Sequence, residues 1–167
     1  MWLWQTWQRR IQGILIWATN YWTSDAAYPD PEHPQNPWTD PMCWTTGYGL
    51  GPGTKSPWGN GDGRFIYPPL EAADARPART VLAGPVTSIR MEMLRDGIED
   101  YEYLALLKSL TAKRADKLSA AERARYEALL EVPGEITKSL TEFTKDPAPI
   151  ERRRAELAKA IAELSGK

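Results

Sequence analysis

The segment SIRMEMLRDGIEDYEYLALL, residues 88–107, holds five carboxylates (Glu92, Asp96, Glu99, Asp100 and Glu102) together with Arg90, Arg95 and Gly97. Carboxylates in pairs can serve as general acid and base, and Glu99 beside Asp100 is such a pair in sequence. Their use depends on the helix that carries them. At about 100° per residue, with Arg90 set at zero, Leu94, Gly97, Ile98, Tyr101, Leu104 and Ala105 fall within about 80° of that direction and form a packing face. Glu92, Arg95, Asp96, Glu99 and Glu102 fall on the opposite side, in water. There Arg95 pairs with Glu99 at i, i+4, worth roughly a few tenths of a kcal/mol. Asp100 lies at the boundary, where it can accept a hydrogen bond from a neighbouring element. No acid of this helix is assigned a catalytic role.

Two residues of the packing face are expected to be structural. Gly97 costs about 1 kcal/mol relative to alanine mid-helix, which close approach to another backbone would offset. Arg90, in the first turn at the centre of the apolar face, gains nothing from the helix dipole and needs a polar partner beneath it.

Other reactive residue types are sparse. His33 and Cys43 are the only histidine and the only cysteine, which excludes an internal disulfide and any metal centre built on several such ligands. His33 reads as solvated in a proline-rich loop. Cys43 reads as a small packed residue, because no second histidine is available to activate it. In NGDG, residues 60–63, Asn60 and Asp62 alternate as in a calcium loop, but the other ligand positions and the closing glutamate are missing, so the segment reads as a turn. Neither a metal nor a cofactor is implied.

The elements that must position these groups fall into two halves. All eight tryptophans lie within the first 58 residues, and eleven of the fourteen prolines lie between Pro29 and Pro85, whereas Ala, Leu, Glu, Lys and Arg at helical spacing dominate afterwards. Residues 2–10 suit a short helix with Trp4 and Trp7 at i, i+3, broken by Gly13. The run ILIWA, residues 14–18, reads as a strand buried on both faces. Residues 20–86 read as a long loop with a tight turn over 60–63 and a short extended segment after it. A helix follows over 88–110, N-capped by Thr87 or Ser88. Residues 111–167 form a helical tail: one helix from the Ser119–Glu122 capping box to about 131, a shorter one over 135–143, and a last one from Pro147–Ile150 with Leu157, Ile161 and Leu164 on one stripe.

A net charge of −1 gives no bulk attraction to nucleic acid or to an anionic membrane. The run 14–18 is far short of the roughly 20 residues that span a bilayer. MWLWQTWQRR has its basic pair after the apolar part, so export cannot be inferred from it. A single doubly buried strand, moreover, needs neighbours on both edges, so either the chain is a piece of a larger α/β structure, the reading favoured here, or the run 14–18 is not a strand.

GILIWATNYW (13–22), NGDGRFIYP (60–68) and SIRMEMLRDGIEDYEYLALL (88–107) resemble, in order and spacing, the C-terminal part of the DUF4091 proteins, which include the glycoside hydrolase family 123 enzymes. The resemblance runs from residue 1 to about 110. It implies a (β/α)8 TIM-like barrel acting on N-acetylhexosaminides, typically β-linked N-acetylgalactosamine. In such enzymes the substrate's acetamido oxygen is the nucleophile, one carboxylate orients it, and an adjacent one is the general acid and base. That Asp-Glu pair lies on an earlier strand in the family and has no matching block here. The chain is therefore expected to be the C-terminal fragment of the barrel, with the upstream part of the same barrel as its partner. Residues 14–18 would be a late barrel strand, 88–107 the outer helix after it, and Gly97 the contact with the barrel wall.

By the same resemblance, Trp17, Asn20, Tyr21, Trp22, Asp62 and Tyr67 would line the pocket for the terminal sugar, aromatic faces stacking on the pyranose and amide or phenol groups binding its hydroxyls. Two other functions fit parts of the sequence. One is a non-catalytic carbohydrate-binding module with Trp38, Trp44 and Trp58 as a platform, which the strand count disfavours. The other is a helical interaction module over 88–165.

Overall fold

A computed structural model of the chain describes residues 1–46, 54–73 and 80–166. It is mixed α/β, with elements α1 (Trp2–Gln8), β1 (Met42–Thr45), β2 (Ser56–Asn60), β3 (Ile66–Tyr67), β4 (Val86–Thr87), α2 (Ile89–Lys113), α3 (Ala120–Leu130) and α4 (Ala148–Ser165). The chain divides into two compact units, a helical one (Met1–Ile14 with Leu94–Lys167) and an aromatic one (Leu15–Met93).

The helical unit packs Trp4, Leu104, Leu107, Tyr126, Ile136, Leu157, Ala160 and Leu164 into one core. Helix α1 stops at Gln8, two residues earlier than expected. Arg10 N donates to Trp7 O and Ile11 N to Thr6 O, with Arg10 in the left-handed region at φ 56°. This paired closure ends the helix before Gly13 is reached. Helix α3 carries the anticipated capping box: Ser119 Oγ accepts from Glu122 N, and the Glu122 carboxylate accepts from Ser119 N. Helix α4 begins on prolines and ends at left-handed Gly166, with Leu157 and Leu164 buried and Ile161 only half-buried.

The helix expected over 135–143 is absent. Ser139 Oγ instead accepts from Thr141 N and Glu142 N, and Thr137 bridges to Phe143. Short hydroxyl side chains here satisfy the local backbone better than a helix would. Gln5 and Gln8 hold the resulting loop, with Gln5 Nε2 donating to Thr137 Oγ1 and Ser139 O, and Gln8 Nε2 to Thr137 O.

Helix α2 is rotated from the projected orientation. Gly97, Asp100, Leu104, Leu107 and Thr111 are buried, whereas Ile98 and Ala105 are exposed. The cause is Asp100, whose carboxylate accepts from Trp4 Nε1 at 2.9 Å and from Arg154 Nε on α4. That hydrogen bond holds the Arg154 guanidinium above its ordinary pKa. Gly97 meets the Leu3 side chain of α1, where an added Cβ would sit 3.0 Å from Leu3 Cδ2. Its close approach is thus to a side chain of the short helix rather than to another backbone. Glu99 and Arg95 form the expected exposed pair at 3.8 Å.

In the aromatic unit, β1 and β2 pair antiparallel with an irregularity between Cys43 and Trp44, and β3 pairs antiparallel with β4. Within the expected 20–86 loop the structure places two small sheets; residues 47–53 and 74–79 lie outside the described residues. Among the described residues no barrel is visible, and the run 14–18 forms no strand. Leu15 is 84% and Trp17 56% exposed. A doubly buried strand needs a partner on each edge, and the strands present are paired to each other.

Removing the Asp100 carboxylate leaves a buried indole N–H without its acceptor, while Arg154 can still reach water. Asp100→Ala is expected to destabilise the protein by about 3 kcal/mol, and Glu99→Ala by less than about 0.5 kcal/mol, in urea unfolding. Equal costs for the two would contradict the division of the acids between core and solvent.

Candidate functional site

The turn after β2 is the centre of the aromatic unit. Gly61 and Gly63 both take positive φ, 74° and 70°, so the chain reverses within Gly61–Gly63 as the sequence indicates. The segment following Trp17 lies alongside this turn: Asn20 bridges to Arg64, Tyr21 N donates to Gly63 O at 2.9 Å, and Phe65 N donates to Thr19 O at 2.8 Å. Two stretches more than forty residues apart are thereby joined through their backbones.

Arg90 fixes the turn from the other side. Its Nε donates to Gly61 O at 3.0 Å and to Arg64 O at 3.2 Å, and its Nη2 donates to Tyr67 Oη at 3.0 Å. The polar partners beneath this arginine are two carbonyls and a phenol. They explain Gly61, since a Cβ there would lie 1.7 Å from Arg90 Nη2.

The turn presents Asp62. Trp17 Nε1 donates to Asp62 Oδ1 at 3.2 Å, and Trp58 Nε1 donates to Asp62 Oδ2 at 3.0 Å. Trp17 also packs on Tyr21, with ring centroids 5.0 Å apart. These residues, with Cys43, Trp44 and Thr45 of β1, line a pocket of about 480 Å³. Asp62 is the one carboxylate among its described lining residues. Burial pushes the Cys43 thiol pKa up, against the pull of the Arg64 charge, so the thiol stays protonated at neutral pH.

Of the six residues expected at a sugar pocket, the structure brings together Trp17, Tyr21 and Asp62. Asn20 is exposed in its bridge to Arg64. Trp22 Nε1 donates to Ile66 O at 2.9 Å, and Tyr67 accepts from Arg90 while its ring packs against Trp38. None of these three lines the pocket. The Trp22 and Tyr67 side chains are held by neighbouring groups and support the walls, whereas Asn20 contributes its backbone bridge. The three-tryptophan platform does not form either: Trp44 and Trp58 line the pocket, and Trp38 Nε1 donates to Pro68 O.

Beneath the pocket lies Arg64, fully buried and without a distinctive sequence signal. Its guanidinium donates to Pro41 O at 3.1 Å and Gln35 Oε1 at 3.0 Å, with longer contacts to Trp22 O and Ser24 Oγ. Asp40 ties the same loop to β1, accepting from Tyr28 Oη and from Trp44 Nε1 at 2.7 Å. Burial alone would raise the Asp40 carboxyl pKa, but these donors outweigh it and bring it below the usual value. Its contribution to stability is therefore present above the unfolded carboxylate pKa and lost as pH falls through the lowered one.

His33 is exposed and bonds Asp30 at 2.7 Å. Among the described residues, no group of three or more His, Cys, Asp or Glu is placed to hold a metal ion. No described helix is long and apolar enough to cross a membrane.

Gly61→Ala combines a strained positive φ with loss of the Arg90 contacts, and is expected to cost about 3 kcal/mol in urea unfolding. Gly13→Ala, where a Cβ meets nothing within 4 Å, is expected to stay within about 0.5 kcal/mol. Equal effects would rule out the clamp.

The family model described as "Glycoside hydrolase 123, catalytic domain" matches residues 1–107. No curated protein matches the chain, and no solved structure does.

Proposed function

Because the chain belongs to glycoside hydrolase family 123 and is a glycoside hydrolase-like protein, we propose that it is the C-terminal section of a (β/α)8 barrel that hydrolyses N-acetylhexosaminides. Its role is to build part of the wall of the pocket for the terminal sugar, while the acid–base pair comes from the upstream part of the same barrel. The observation that carries this reading is the pocket around Asp62: four aromatic side chains and one carboxylate, with each carboxylate oxygen oriented by an indole N–H. Aromatic faces suit the C–H surface of a pyranose, and a fixed carboxylate suits a sugar hydroxyl or an acetamido N–H. Among the described lining residues there is one carboxylate, and substrate-assisted hydrolysis uses two acids, one that positions the acetamido group and a second that transfers the proton. The exposure of Ile14, Leu15 and Trp17 supports the barrel reading, since an apolar run without flanking strands leaves side chains in water.

The chain alone is expected to release no aryl alcohol from an aryl N-acetyl-β-hexosaminide above background. It is expected to bind N-acetylgalactosamine with a Kd of about 1 mM or weaker in a tryptophan fluorescence titration, with the signal lost in Asp62→Asn. Turnover by the chain alone would contradict the missing acid–base pair. Micromolar binding would favour a self-standing carbohydrate-binding module.

A further inference from the structure

The helical unit has a cavity of its own, of about 600 Å³, lined by Trp7, Arg10, Tyr101, Lys108 and Glu131 among others. Arg10 stands there in an unusual backbone state. It occupies the left-handed position that closes α1, at φ 56°, where glycine would serve without strain. The closure of α1 therefore gains nothing from a side chain at this residue, and a strained non-glycine position beside a cavity points to a use for that side chain.

Neither Arg10 nor Lys108 has a carboxylate within ion-pair distance among the described residues. Lys108 Nζ lies 5.8 Å from the centroid of the Trp7 ring, and Trp7 meets Tyr101 edge-on with centroids 5.2 Å apart. The Trp7 ring is fixed because its Nε1 donates to Leu130 O at 2.8 Å. Among the described lining residues, two cations against the single acid Glu131 leave a net positive charge.

We propose that this cavity binds an anionic saccharide, a pyranose carrying a carboxylate or a sulfate. The aromatic pair offers a surface for the C–H face of the ring, Arg10 and Lys108 take the anionic group, and Glu131 accepts from a hydroxyl. An arginine fork suits a planar carboxylate or two sulfate oxygens, and the volume holds one or two pyranose rings. Every residue invoked belongs to the helical unit, so the proposal stands independently of the Asp62 pocket.

The test is calorimetric titration of the full chain with methyl glucuronide, glucose 6-sulfate, methyl glucoside and inorganic sulfate, repeated on Arg10→Gly and Lys108→Gln, with thermal unfolding of each variant. The expected result is saturable binding of one or both anionic sugars and none of the neutral glucoside or inorganic sulfate. Arg10→Gly should weaken that binding about tenfold or more while raising the Tm by about 3 °C. Lys108→Gln should weaken binding with the Tm unchanged. Absence of saturable binding to both anionic sugars would overturn the proposal. So would equal binding of inorganic sulfate or of the glucoside, unchanged affinity in either variant, or a lower Tm in Arg10→Gly.

Discussion

Where the chain reverses between β2 and β3, the carbonyls of Gly61 and Arg64 point towards α2, and one guanidinium satisfies both. Arg90 Nε donates to each, and Nη2 reaches Tyr67 Oη. A part-buried carbonyl without a donor is costly, and a part-buried arginine without acceptors more so. Each solves the other's problem. With the turn fixed, Gly63 O can receive Tyr21 N, which draws the Trp17–Tyr21 stretch alongside it. Asp62, between two glycines that supply the positive φ the turn requires, is left facing the indoles of Trp17 and Trp58. The pocket is a consequence of how the turn is held.

The helical unit is organised by a different charge. Asp100 draws Trp4 from α1 and Arg154 from α4 onto α2, and this sets which side of α2 is buried. The acids that looked like a reactive cluster are thus divided: Asp100 is a structural acceptor, and Glu99 makes a surface pair of little energetic weight. Trp7, on the next turn of α1 from Trp4, turns instead to Leu130 O and the Tyr101 ring.

Features decided locally were legible in the sequence. The Ser119–Glu122 box, the proline-led start of α4 and the glycine turn at 61–63 depend on residues within a few positions, and each lies where its residue types place it. Features that depend on distant partners were not. A strand over 14–18 exists only if other strands flank it. The face of α2 depends on Asp100 finding Trp4 and Arg154. The segment 135–143 depends on competition between a helix and the hydroxyls of Ser139 and Thr137. The β1–β2 hairpin was hidden by Pro57, Gly59 and the irregularity at Cys43, which break the alternation that marks a strand. At the site, three of the six expected residues meet in the pocket. Arg64 was missed because a buried arginine whose terminal nitrogens reach carbonyls, an amide and a hydroxyl carries no spacing signature.

The central claim, that Arg90 shapes the pocket through the turn bearing Asp62, can be read from the indole N–H signals of the eight tryptophans in a nitrogen-correlated NMR spectrum. The account predicts that the two signals displaced most by Asp62→Ala, those of Trp17 and Trp58, are also the two displaced most by Arg90→Ala, although both indole N–H groups donate to Asp62 and not to Arg90. If Arg90→Ala leaves those two signals in place while the protein remains folded, the turn does not depend on Arg90 and the account is contradicted.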